Sequence, residues 1–194
     1  MKKLIIVAVF FSSLLYFNSS AQNITSPEKF GNTINIGVGI GGYSGYYGYV
    51  GHAMPVFHID KEYAIAKNFT LAPFLNLYRY SNGYFRSTSC DQTLPLKYFT
   101  YNETVIPVGA KGTFYFDKLL NAGSRWDFSA SGSIGIAIIN SSWTSGYDGE
   151  MDYFHTSNPL FLDAHVGTEY HISKTIGVFL DFSSGVSTVG LAIH

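Results

Sequence analysis

The chain has 194 residues and a net charge of −1, with only 13% charged residues against 15 Tyr, 16 Phe and 20 Gly. A soluble domain of this size carries about a quarter charged residues, and a nucleic-acid binder carries a basic excess; neither description fits. The lone Cys90 excludes an internal disulfide and leaves a free or intermolecular thiol in a loop.

Lys2-Lys3 forms a basic n-region, Leu4 to Phe17 an apolar h-region, and Ser19-Ser20-Ala21 presents small residues. Residues 1–21 therefore read as a signal peptide cleaved before Gln22. The apolar run is short for a helix crossing a ~30 Å hydrocarbon core, and no cysteine follows it, which argues against a lipoprotein. Loss of Lys2 and Lys3 takes the net charge from −1 to −3. Residues 22–194 form one expected domain. None of its segments approaches the ~20 apolar residues of a spanning helix, so only strands could cross a bilayer.

From Thr33 the chain alternates with period two, the mark of strands whose faces meet different environments. A first strand, Thr33–Tyr43, sets Ile34, Ile36, Val38 and Ile40 outward and Asn35, Gly37, Gly39 and Gly41 inward. A second, Ala53–Ile65, sets Phe57, Ile59 and Tyr63 against His58, Asp60 and Glu62, with Lys61 at a membrane rim. A third, Phe69–Tyr80, turns Phe69, Leu71, Pro73, Leu75 and Leu77 outward, and a polar loop, Ser81–Lys97, follows. A fourth, about Tyr98–Phe116, sets Ile106, Val108, Ala110 and Phe114 against Gly109, Lys111, Thr113 and Tyr115. A fifth, Arg125–Ile139, sets Trp126, Phe128, Ala130, Ile134, Ile136 and Ile138 against Asp127 and Ser129, Ser131 and Ser133; the loop Asn140–Asn158 comes next. The last third carries three more strands. In these, Leu160, Leu162, Ala164 and Val166, then Ile176, Val178, Leu180 and Phe182, then Val189, Leu191 and Ile193 make the apolar face. Long and short connections alternate, apart from a short one near Ser184–Val186. The fold class expected is all-β, an eight-stranded antiparallel up-and-down transmembrane β-barrel of the outer-membrane kind.

Several short pieces support a resemblance: Pro55 with Glu62-Tyr63-Ala64-Ile65, Val108-Gly109-Ala110-Lys111-Gly112-Thr113-Phe114-Tyr115-Phe116, Leu119-Leu120-Asn121, Thr175-Ile176-Gly177-Val178-Phe179 and Gly190-Leu191-Ala192-Ile193. On these the chain resembles the small outer-membrane β-barrel family of Bacteroidetes-type bacteria. The resemblance implies an eight-stranded barrel in a Gram-negative outer membrane and brings no catalytic residues. Lys111 stands where that family commonly has arginine, and the chain ends on His194 where an aromatic is expected.

The candidate site is the inward polar set: His58, Asp60, Glu62, Lys111, Asp127, Asp163, His165, Glu169 and Asp181. In a narrow lumen these groups must pair, with Lys111 as principal cation. The expected function is non-enzymatic: an envelope-structural or surface-binding barrel with a side-chain-filled lumen, binding through extracellular loops. Trp143 and Tyr147 are its best mid-loop contacts. The carboxylate excess suits a narrow cation-favouring channel as the alternative. A second alternative rests on His155-Thr156-Ser157-Asn158 with Glu169, which resembles the His-x-Ser-Asn…Glu arrangement of outer-membrane lipid A 3-O-deacylases. The resemblance implies Ser157 as nucleophile, His155 as base and Glu169 orienting it. On one continuous strand, however, Ser157 and Glu169 stand ~35–40 Å apart.

No cofactor is expected. His155, His165 and His171 lie near Asp163 and Glu169 in sequence, yet His165 and Glu169 stand ~13 Å apart at strand rise, so no metal site is expected either. The partners expected are outer-membrane lipid and lipopolysaccharide, the barrel-insertion machinery and an extracellular ligand, with no nucleic acid and a monomeric state.

Overall fold

The computed structural model describes residues 32–42, 53–86, 97–117, 120, 125–143 and 159–194. Among the described residues nine strand segments follow one another: β1 (Ile34–Gly41), β2 (Ala53–Lys61), β3 (Tyr63–Ala66), β4 (Phe69–Arg86), β5 (Lys97–Tyr115), β6 (Trp126–Trp143), β7 (Leu160–His171), β8 (Ile176–Ser183) and β9 (Val186–Ile193). Both β2 and β3 pair with β4, in one register: Asp60 faces Phe74 and Tyr63 faces Leu71. They are two halves of one barrel strand. Glu62, between them, keeps the ladder by donating its N–H to Thr33 O at 2.8 Å.

Each strand pairs antiparallel with its sequence neighbour, and β1 also pairs with β9 from Ile34 opposite Ile193 to Gly41 opposite Val186. Eight strands thus close into an up-and-down barrel with no free edge at the seam. The short turns and residues 32 and 194 lie at one end, here the turn end. The longer connections and Ser184-Gly185 lie at the other, the loop end.

Alternation sorts the faces as the sequence pattern requires. Ile36, Val38, Ile134, Ile136, Val166 and Phe182 are exposed, the last two at 61%. A belt of this kind would be costly in water, at roughly 25 cal/mol for each Å² of apolar surface; it suits hydrocarbon, and the barrel is a transmembrane one. Their neighbours turn inward: His58, Asp60, Thr70, Asn76, Lys111, Thr113 and Asp127 are buried.

Two boundaries differ from the sequence reading. β4 runs through Arg86 and β6 through Trp143, so parts of two expected loops are strand. In these stretches successive residues no longer alternate apolar with polar, which removes the pattern that marks a strand. Backbone pairing runs through these extensions, from Tyr78 opposite Val105 to Arg86 opposite Lys97, and from Val105 opposite Ile139 to Tyr101 opposite Trp143. With no described partner beyond β4 on one side and β6 on the other, they form a three-stranded sheet standing above the rim.

The lumen has two storeys. Towards the loop end Val56, Tyr78, Val105, Ala137 and Val186 pack together, and the Phe74 and Phe161 rings meet with centroids 5.5 Å apart. Towards the turn end the filling is polar. The apolar storey was not anticipated, because inward Val56 and Val105 follow or precede other apolar residues and blur the period-two contrast.

Candidate functional site

The nine expected lumen residues fall into three groups. The first centres on Asp60. Its carboxylate accepts from Asn35 Nδ2 at 2.8 Å, from His58 Nε2 at 2.9 Å and from Lys111 Nζ. Asn35 Nδ2 also reaches Glu62 Oε1 at 3.1 Å, and Glu62 Oε2 accepts from Thr70 Oγ1 at 2.7 Å and Tyr115 Oη at 2.6 Å. His58 Nδ1 lies 2.6 Å from Asn76 Oδ1. Every one of these side chains sits on the inward face of β1 to β5 or at the β2–β3 junction. Two buried carboxylates are tolerable here because one lysine and several neutral donors converge on them.

The second group lies between β7, β8 and β6. His165 Nδ1 is 3.2 Å from Asp181 Oδ2, and its Nε2 is 3.0 Å from Ser133 Oγ. Asp163 Oδ2 stands 3.5 Å from His165 Nε2, and the same carboxylate has a second task. Its Oδ1 accepts from Ser184 Oγ at 2.7 Å and Gly185 N at 2.9 Å, while its Oδ2 accepts from Ser183 Oγ at 2.9 Å and Val186 N at 3.1 Å. One carboxylate thus clamps the tight β8–β9 turn, which explains how a loop-end connection can be so short.

The third group stands at the turn-end mouth. His171 Nε2 donates to Asp127 Oδ2 at 2.6 Å, and His194 Nε2 donates to Glu169 Oε1 at 2.7 Å. His194 Nδ1 is held by Thr33 Oγ1 at 3.0 Å. The His171 and His194 rings meet at a tilt, 4.9 Å between centroids. The hydrogen bond that His194 donates to Glu169 raises the pKa of His194 above the ordinary imidazole value, against a smaller opposing effect of burial. Neither His171 nor His194 belonged to the expected lumen set. Spacing along β7 hides the grouping, since His194 arrives from β9.

Between the groups lies a cavity of about 40 Å³, lined by Asn35, Glu62, Lys111, Thr113, Asp127 and Asp181 among others. At ~10–15 Å³ per water it holds a few waters.

Of the remaining candidates, the Trp143 backbone ends β6, but its side chain lies outside the described residues, as do Tyr147, Cys90, residues 1–21 and the pair His155 and Ser157. Glu169 stands near the turn-end terminus of a continuous β7, ~30 Å along the strand from Leu160. It faces His194 there, at the opposite end of β7 from Leu160.

No protein-family model and no curated protein matches the chain. Among solved structures it is similar to a de novo designed transmembrane β-barrel, at 10% identity and TM-score 0.43, covering 86% of this chain and 98% of that one. It is also similar to the Yersinia pestis outer membrane protein Ail in a phospholipid bilayer nanodisc, at 12% identity and TM-score 0.41, covering 84% and 98%. A second structure of Ail, the attachment invasion locus protein, in complex with the heparin analogue sucrose octasulfate, gives 9% identity and TM-score 0.39 over 83% and 92%. Likeness at this distance assigns no activity, and the barrel stands on its own strand pairings.

Proposed function

We propose that this protein is a monomeric, non-enzymatic barrel of a Gram-negative outer membrane that works at the cell surface through its loop end. The observation that carries this reading is the length of β4, β5 and β6. They have 18, 19 and 18 residues, whereas about 9–11 cross a bilayer. The excess builds a projecting sheet on which Arg79 and Ser81 are exposed, residue types suited to water and to a polar ligand. Trp143 at its edge and Tyr147 beyond it are the contacts for an extracellular ligand. Lipid and lipopolysaccharide surround the apolar belt, and the barrel-insertion machinery delivers the chain after its signal peptide is removed.

Cys90, the single cysteine, tests the orientation. A membrane-impermeant maleimide should label intact cells, and labelling only after lysis would overturn the reading. The filled lumen supports a barrel without conductance. Reconstituted in a planar bilayer, the protein should give no discrete current steps; cation-selective steps that survive removal of residues 144–157 would restore the channel.

A further inference from the structure

Glu169, His171 and His194 each offer one ligand atom, and the three atoms lie within 4.8 Å of one another. We propose that these residues bind a divalent transition-metal ion of the zinc class at the turn-end mouth, with Asp127 and Thr33 as its outer support.

The arrangement has what a metal site needs beyond proximity. His171 uses Nε2 on Asp127 at 2.6 Å, and the carboxylate fixes that nitrogen as the N–H. Its Nδ1 then presents a lone pair, 3.7 Å from Glu169 Oε1. His194 Nε2 approaches the same oxygen at 2.7 Å, while its Nδ1 rests on Thr33 Oγ1 at 3.0 Å. A change of tautomer puts the His194 proton on Nδ1, donating to Thr33, and frees Nε2 for a metal. Both imidazoles would then bind through one nitrogen and be oriented through the other, the pattern that fixes metal-bound histidines. Two imidazoles, one carboxylate and a solvent-facing fourth position suit zinc at bonds of ~2.0–2.1 Å. A tetrahedron with such bonds has edges of about 3.3 Å, so side-chain movements of around an ångström close the site. The three side chains are 12–18% exposed, which leaves the mouth open to an ion.

The sheet is built to allow the meeting. Glu169 and His171 share the inward face of β7, and Asp127 lies directly opposite Glu169 on β6. Between β7 and β9 the inward positions at this level are Gly177, opposite His171, and Ala192, opposite Gly177. A Cβ at Gly177 would collide with the Glu169 carboxylate. The glycine therefore lets Glu169 lie across β8 to reach His194.

The test uses the tag-free full chain, refolded in detergent, stripped with EDTA and titrated with Zn²⁺ by calorimetry, with Co²⁺ absorption reporting coordination. One equivalent per chain is expected, with the intense visible bands of four-coordinate cobalt. His194→Gln and Glu169→Gln should each lose the binding, and Asp127→Asn should weaken it about tenfold. Gly177→Ala keeps every ligand and, because the flexible Glu169 can move aside, should keep the fold while weakening zinc at least tenfold. Folding of each variant is read from the heat-shifted gel band. Wild-type protein that takes up no zinc overturns the proposal. So does binding that survives His194→Gln, or that disappears in His155→Ala or His165→Ala instead.

Discussion

Replacing Lys111 with Met removes the one ammonium that the described lumen offers Asp60, and the structure sets the size of the loss. The two side chains are 8% and 0% exposed, so water cannot take the lysine's place cheaply. Breaking a buried pair from one side costs about 3–5 kcal/mol. Asp60 retains donors from Asn35 and His58, and a hydrogen bond to a charged group is worth about 1.5–3 kcal/mol. The expected loss is therefore at the low end, about 3 kcal/mol, or roughly two decades in the folding equilibrium. Refolding into phosphatidylcholine vesicles across a urea series measures it, with fluorescence of the two tryptophans and the heat-shifted band as independent probes. Asp60→Asn in the Lys111→Met background should restore a substantial part, because the stranded charge is gone. A loss below ~1 kcal/mol, or no recovery in the double variant, would refute the buried-pair reasoning and show that the amine is solvated.

Other outcomes follow from the faces and the turn. Ile136→Arg or Leu180→Arg should cost about 2–4 kcal/mol in vesicles near the midplane, whereas Ser131→Thr, which lines the small cavity, should change stability little; equal effects would mean the register is off by one. Asp163→Ala strips four hydrogen bonds from the β8–β9 turn and should cost at least ~2 kcal/mol, with faster hydrogen exchange at Gly185 and Val186 as the local sign. Ser157→Ala should leave lipid A acylation unchanged by mass spectrometry of cells carrying the protein; loss of a deacylated species would revive the esterase.

The barrel was legible because lipid imposes a rule that water does not. An outward residue on a spanning strand must be apolar, so Ile134 and Ile136, or Val178 and Leu180, announce their face without any knowledge of a partner. The rule ends at the rim. Residues 81–86 and 140–143 lack the alternation of apolar and polar residues and read as loop, although their backbones stay in the ladder. It also says nothing about height within the lumen. Asp163 and Asp181 both read as inward carboxylates and both stand beside His165, yet Asp163 also clamps a turn at the loop end.

Partnerships across the seam are the part no local pattern could contain. Thr33 and His194 touch although 161 positions separate them, and they do so only because β1 closes on β9. That seam is lined by residues too small to fill it: Gly37 faces Gly190, and Gly190 in turn faces Phe179. The Phe179 ring leans into this space, so close that a Cβ on Gly37 would stand 2.9 Å from its Cζ. Lower down, Gly177 and Ala192 leave the same kind of room, and there Glu169 takes it. The same requirement, small residues where a narrow barrel closes, is thus met by an aromatic ring in mid-lumen and by a carboxylate at the mouth. The aromatic choice puts a ring against the seam. The carboxylate choice places an acidic group between two histidines from different strands, where a single ion could tie β7 to the closing strand.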